Sequence, residues 1–438
     1  MGVQLMPPME KVQRMMQMAG ITEGPVNPYL VKAVYSSGDP HLATSFNGNA
    51  DDFANFRWDP ERMDTTITPQ AMGYTIIKEV IWSKSFASDV EGPDPMNHFR
   101  ALVLSSEAAA QAQFMMENLR TPSGLFIHRW KDGASIDTTV VPQDQMVMLW
   151  AFSELADYSS GRYGWYAAPL EYEQALALTD GLFQAILDQT STQAGFLTTM
   201  ATRDLGMALS ALSVYVNYAA SHDLKRRATE EVIPSVAAEL LHRMDERGKL
   251  VADGGYSQMA TQGAAVNGLV YAFKITGAAS YREAALQSWA YLETLWDETA
   301  KVYRQFQGAT RYAYTPRDAA DVVAAFNALL NGLGMDVDQR FANFFNGAIN
   351  RSGLQLAEGA PTGGGQDDDT IPDPFSAGGE FGQAPVLATE VVYDVASGNW
   401  SLTDPRFTTA YDMALANQMM WIGTWAGKAS VPGHGIPG

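Results

Sequence analysis

Residues Thr121–Tyr158 read TPSGLFIHRWKDGASIDTTVVPQDQMVMLWAFSELADY. TPSG suits the end of a helix, because glycine reaches the left-handed conformation that commonly terminates helices. Two short extended segments follow the turn. QDQMVMLWAFSELADY then begins polar and carries apolar residues at helical spacing. The unit is therefore helix, turn, irregular rim, helix.

Variants of it recur downstream. TQAGFLTT from Thr192, ERGKLVAD from Glu246, ETAKVYRQ from Glu298 and RSGLQLAE from Arg351 each follow another helical pattern. Aligning Gly124, Gly195, Gly248, Lys301 and Gly353 gives spacings of 71, 53, 53 and 52 residues. Self-similarity of this kind marks an array of one repeated supersecondary unit. Lys301 departs from the glycine rule.

Working outward, candidate helices fall near 69–84, 97–119, 143–158, 168–189, 203–221, 225–245, 258–276, 279–296, 317–333, 337–349, 384–396 and 405–425. The first of each pair is small and apolar, as in LGMALSALSVYVNYAA from Leu205, and the second carries more charge, as in SYREAALQSWAYLETLWDE from Ser280. A helix apolar all round belongs inside and an amphipathic one at a solvent boundary, so the alternation predicts an inner and an outer ring. The expected fold is all-α: an (α/α)6 toroid of six helical hairpins with short β-like rim segments over residues 67–426. An irregular N-terminal arm with a short Met-rich helix, residues 1–66, precedes it. An extended tail, residues 427–438, follows.

Composition narrows the function. The 438 residues are enough for two or three average domains, yet a closed array of hairpins uses such a length as one. With 49 acidic against 29 basic residues the formal charge is -20, which argues against a phosphate-backbone binder, and no nucleic acid partner is expected. The absence of cysteine excludes disulfides, thiolate zinc sites, iron–sulfur clusters and c-type haem attachment in this chain. No run of about 18 apolar residues predicts a membrane span. The N-terminus lacks a signal peptide's basic start and apolar core, while acidity and absent cysteine tilt the expected location towards the extracytoplasmic.

LRTPSGLFIHRWKDG followed by QDQMVMLWAFSELADY, and the pair ending SWAYLETLWDETAKVYR, resemble the six-hairpin (α/α)6-toroid superfamily. That group includes many glycoside hydrolases, sugar epimerases and the helical domain of DUF255-type proteins. The resemblance covers roughly residues 69–425. It implies a site where loops lead into the inner helices at one end of a central funnel. Glycoside hydrolysis commonly needs two carboxyl groups, one protonated and one ionised. Asp144 is the first candidate, and the candidates for its partner are Asp204, Asp318 and one of Asp367, Asp368 and Asp369. His128, Trp130, Gln143, Trp150, Tyr256, Gln262, Tyr312 and Glu390 are the candidate saccharide-binding residues, the aromatics by stacking on sugar faces. A structural reading stands beside this one. Asp204 and Asp318 follow Thr202 and Thr315 in first helical turns, where the helix dipole favours a carboxylate by ~0.3–1 kcal/mol without any substrate.

The long loop from Glu358 to Gln383 interrupts the repeat, as binding loops often do. Its Asp367, Asp368 and Asp369 offer oxygen ligands of the kind Ca²⁺ takes, without the EF-hand spacing, and no other cofactor is expected. HExxH and GxSxG are absent, and the glycine-rich matches near the C-terminus lack the context of a nucleotide loop. Two functions remain. One is a carbohydrate-active protein, a hydrolase with paired carboxylates or an isomerase-like relative. The other is a non-catalytic toroid that binds a protein partner through its N-terminal arm and its tail, ASVPGHGIPG.

Overall fold

Inner and outer helices alternate along the chain, as the repeat requires. The computed structural model describes residues 3–4, 9–22, 31–32, 35–38, 41–43, 57–58, 63–87, 94–163, 170–193, 195–218, 221–355, 381–383 and 387–421. Six helices form a closed ring: α2 (Pro69–Ala87), α4 (Pro142–Ser159), α6 (Thr202–Tyr218), α9 (Gln258–Thr276), α11 (Pro316–Asn327) and α13 (Thr409–Trp421). Each packs on the next, and α13 packs on α2 to close the circle. Around them lie α3 (Pro95–Asn118), α5 (Tyr172–Thr192), α7 (His222–Arg227) running through a π turn into α8 (Ile233–His242), α10 (Ala279–Glu293) and α12 (Asp338–Phe345). The N-terminal α1 (Met9–Met18) rests on α3, with Met15 and Ala19 in a cluster with Phe99, Leu102 and Val103.

Small residues set the spacing of the ring. Gly263 on α9 lies so close to α11 that a Cβ there would stand 2.5 Å from the Asp321 carbonyl oxygen, and Gly206 on α6 is pressed equally against Ala264. The core that results is continuous, from Ile76 and Ile77 through Leu149, Leu209, Val266 and Val322 to Leu415.

Because each outer helix carries the chain back, the inner helices run parallel and their N-termini share one face, the mouth. The connections there are long: 119–141, 193–201, 243–257, 294–315 and 351–408. Those at the opposite face are mostly shorter, down to Gly277–Ala278 between α9 and α10. At that far end, buried Lys84 of α2 bonds Glu154 at 2.6 Å and Asp157 at 2.7 Å on α4.

The repeat turns match the sequence reading. Gly124, Gly195, Gly248 and Gly353 all have φ between 80° and 90°, and Lys301 takes the same left-handed conformation at φ 58°. Inner helices then reach back to hold the turns. The Gln145 amide bonds both the N–H and the C=O of Phe126, and Gln262 accepts from the Leu250 N–H while donating to the Gly248 carbonyl.

One expected helix is absent. Within 384–396, residues Glu390–Asp394 form a strand between Arg311–Tyr314 and Asn399–Asp404. The run Val391, Val392, Tyr393 favours a pleated, half-buried surface, and Gly398 at φ 70° turns the hairpin. As a result α13 belongs to the inner ring, rather than being the outer partner of a sixth consecutive pair. The arm also contains more than a helix: Ser37–Gly38 pairs with Met63–Asp64 and with Phe407–Thr408, attaching it beside the start of α13. Among the described residues no helix is long and apolar enough to cross a membrane.

Candidate functional site

Three inner helices bring an aspartate to the mouth in the same register, as their third residue: Asp144 on α4, Asp204 on α6 and Asp318 on α11. Their surroundings give them different uses.

Asp318 caps. Its Oδ2 accepts from the Thr315 N–H at 3.0 Å and the Thr315 hydroxyl at 2.6 Å, while the Thr315 hydroxyl accepts from the Asp318 N–H. This is a reciprocal capping box. Ser257 holds Oδ1 at 3.3 Å. Both oxygens are occupied by the fold.

Asp144 caps nothing. Fully buried, it accepts from the Gln70 amide at 2.9 Å and from His128 Nδ1 at 2.7 Å. Burial pushes its carboxyl above 3.8, the His128 and Gln70 bonds pull it back, and the charge of Asp204 raises it again. The bond to Asp144 in turn pushes the His128 imidazole above 6.5. With Nδ1 bound to Asp144 and its side chain 29% exposed, His128 keeps Nε2 for an outside partner. A carboxylate that fixes the tautomer of a partly exposed histidine makes a proton-transfer pair.

Asp204 faces an open cavity of about 220 Å³, together with Pro142, Gln143, Met200, Gly254 and Tyr256. The Tyr256 hydroxyl donates to its carboxylate at 3.0 Å, and Arg203 Nη1 donates at 3.0 Å. Arg203 also forms a two-pronged bond to Asp321, at 2.9 and 2.7 Å. Although burial opposes its charge, these carboxylates hold the Arg203 guanidinium firmly protonated, and the Asp321 carboxyl, raised by burial, is pulled back by Arg203. The pair lines a space of only about 30 Å³ among the inner helices, together with Tyr74, Trp150, Asn267 and Asn417. That is room for a water but not for a sugar.

The other expected binding residues divide accordingly. Gln143 and Tyr256 line the cavity. Trp130 is half-buried beside the mouth and packs edge-on against Phe114. Trp150, 2% exposed, faces the narrow axis and bonds Glu154. The structure does not bring Gln262 or Tyr312 to the cavity: both are fully buried, Gln262 tying a repeat turn and Tyr312 bonding Asp297 and Arg304. Glu390 sits in the three-stranded sheet and accepts from Thr403 at 2.9 Å. Asp367, Asp368 and Asp369, the calcium candidates, lie outside the described residues, as does the tail. Among the described residues no cluster of acids and histidines could hold a metal ion.

Sequence reading missed Gln70 and Tyr411. Gln70 had a signal: Pro69–Gln70 opens α2 as Pro142–Gln143 opens α4, and a comparison of helix starts rather than glycine turns would have found it.

No family model matches the sequence, and no curated protein matches it. In fold the chain is similar to a sugar epimerase from a ruminal bacterium, at 11% identity and a TM-score of 0.51 over 94% of this chain and 98% of that one. It is also similar to a D-mannose isomerase, at 10% identity and 0.49 over 95% and 99%. A third is a family 76 glycoside hydrolase from a bovine Bacteroides thetaiotaomicron strain, at 11% and 0.48 over 95% and 78%. The likeness is one of fold, an (α/α)6 toroid of helical hairpins.

Proposed function

We propose that this protein binds a small saccharide in the mouth cavity and performs acid–base chemistry on it. The observation that carries the reading is the 2.7 Å bond from His128 Nδ1 to the fully buried Asp144, at the rim segment leading into α4. In this scheme His128 Nε2 exchanges a proton with the sugar, and Asp144 positions the imidazole and stabilises its charged form. Asp204 and the Tyr256 hydroxyl form the polar wall against which sugar hydroxyls bond. The paired-carboxylate route of a glycoside hydrolase needs two carboxyl groups beside the substrate. Asp144 is engaged with Gln70 and His128, and Asp318 with the cap of α11, so proton transfer through His128 suits the mouth better than a carboxylate pair. A cavity of about 220 Å³ lies below the range of drug-sized sites, roughly 300–1,000 Å³, and matches a sugar unit rather than a long chain.

One observation favours the second reading, a non-catalytic binding or structural toroid: the space among the inner helices beside Arg203 and Asp321 is only about 30 Å³, too small for a sugar. The two are separated by incubating the protein with pools of monosaccharides and short oligosaccharides and following products by NMR. Turnover is expected, reduced roughly 10²–10⁴-fold in His128→Gln, the range general acid–base groups supply, with a smaller loss in Asp144→Asn. Turnover that survives His128→Gln would remove the mechanism. Absence of both turnover and saccharide binding would leave the assembly role.

A further inference from the structure

Two guanidinium groups share the Tyr256 ring on the cavity wall: Arg203 lies 5.5 Å from its centroid and Arg317 4.6 Å. Their situations differ. Arg203 spends its donors on Asp321 and Asp204. Arg317, half-buried as the second residue of α11, is also stacked on Tyr411 of α13, 4.3 Å from that centroid. Among the described residues no carboxylate pairs with it, since the adjacent Asp318 is engaged by Thr315 and Ser257.

Two aromatic faces thus fix the plane of a guanidinium without using its N–H donors. In a chain where acids outnumber bases 49 to 29, this guanidinium has, among the described residues, no carboxylate in ion-pair contact, though it stands beside the cavity-lining Tyr256. Its geometry matches an oxyanion. The N-terminal end of α11 favours negative charge at the same place.

We propose that Arg317 makes this site selective for a saccharide carrying one oxyanion, a carboxylate or a phosphate. The inference rests on the saccharide reading of the same cavity. The sugar ring lies against Tyr256 and Gln143, and its anionic group meets the open edge of the Arg317 fork.

The test is calorimetric titration of the full-length protein with a panel of hexoses, their matching uronates and their 6-phosphates, with inorganic phosphate alongside. One anionic series is expected to bind roughly 10- to 100-fold more tightly than the neutral hexoses, the range of a hydrogen-bonded charge. Which series does so distinguishes carboxylate from phosphate. Arg317→Gln should abolish the preference and Arg317→Lys retain part of it, with thermal unfolding of each variant checking that it folds. Tyr411→Phe should keep the preference and Tyr411→Leu weaken it. Equal affinity for neutral and anionic sugars, or a preference unchanged in Arg317→Gln, overturns the proposal. So does inorganic phosphate binding as tightly as the sugar phosphates. Neutral sugars converted in a His128-dependent way without an anionic preference would remove this inference alone. If no sugar of any charge binds, the saccharide reading fails and this one with it.

Discussion

The bond from His128 Nδ1 to Asp144 couples two titrating groups and gives the mouth a pH signature. Because the bond raises the imidazole above 6.5 in the folded state, the stability it contributes is fully present below 6.5 and is lost as pH rises through the folded value. An NMR titration of His128 should show a midpoint above 6.5 that falls back in Asp144→Asn. The difference in urea midpoint between the native protein and His128→Gln should shrink as pH rises. A His128 midpoint at or below 6.5 would show that Asp144 does not act on the ring. At this scale the sequence was only partly legible. It placed Asp144, Asp204 and Asp318 at one mouth, because all three open inner helices. It could not tell a capping aspartate from a histidine-binding one, since that difference depends on Gln70 and His128, brought in from other parts of the chain.

The repeat turn shows what a sequence pattern does carry at the level of an element. Four glycines and Lys301 occupy one left-handed position, so backbone conformation is conserved through the repeat where the residue type is not. A left-handed residue with a side chain costs about 1–2 kcal/mol, and the exposed, solvent-screened bond from Lys301 to Glu298 offsets little of it. Lys301→Gly is therefore expected to stabilise the protein by roughly 0.5–1 kcal/mol after the extra freedom of glycine in the unfolded chain is subtracted. A denaturant midpoint unchanged or lowered would contradict this. The helix expected at 384–396 failed for the complementary reason. ATEVVYDVAS has helix-compatible spacing, but Val391–Asp394 pairs with Arg311–Tyr314, far earlier in the chain, and local periodicity cannot register such a partner.

For the whole molecule, ring closure was legible in the alternation of apolar and charged helices, whereas the charges sealed inside it were not. Lys84 binds both Glu154 and Asp157 with almost no exposure at the end opposite the mouth. Removing the cation by Lys84→Met should cost roughly 3–5 kcal/mol, because two buried carboxylates lose their partner. Burial already pushes Glu154 above 4.5, and without Lys84 only the weaker Trp150 bond pulls it back. The folded variant then prefers the protonated acid, so its deficit should be smallest at acidic pH and grow as pH rises through the folded value. Chemical unfolding at two pH values reads this directly, and a deficit independent of pH would contradict it. The unequal connections have a separate consequence. Each doubling of a loop costs only about 0.6 kcal/mol of closure entropy, so the long segments at the mouth can lengthen, shorten or diversify while the ring stays intact. A lineage built on this plan can exchange one substrate for another without refolding its scaffold, and its closed end would be expected to change far more slowly than its open one.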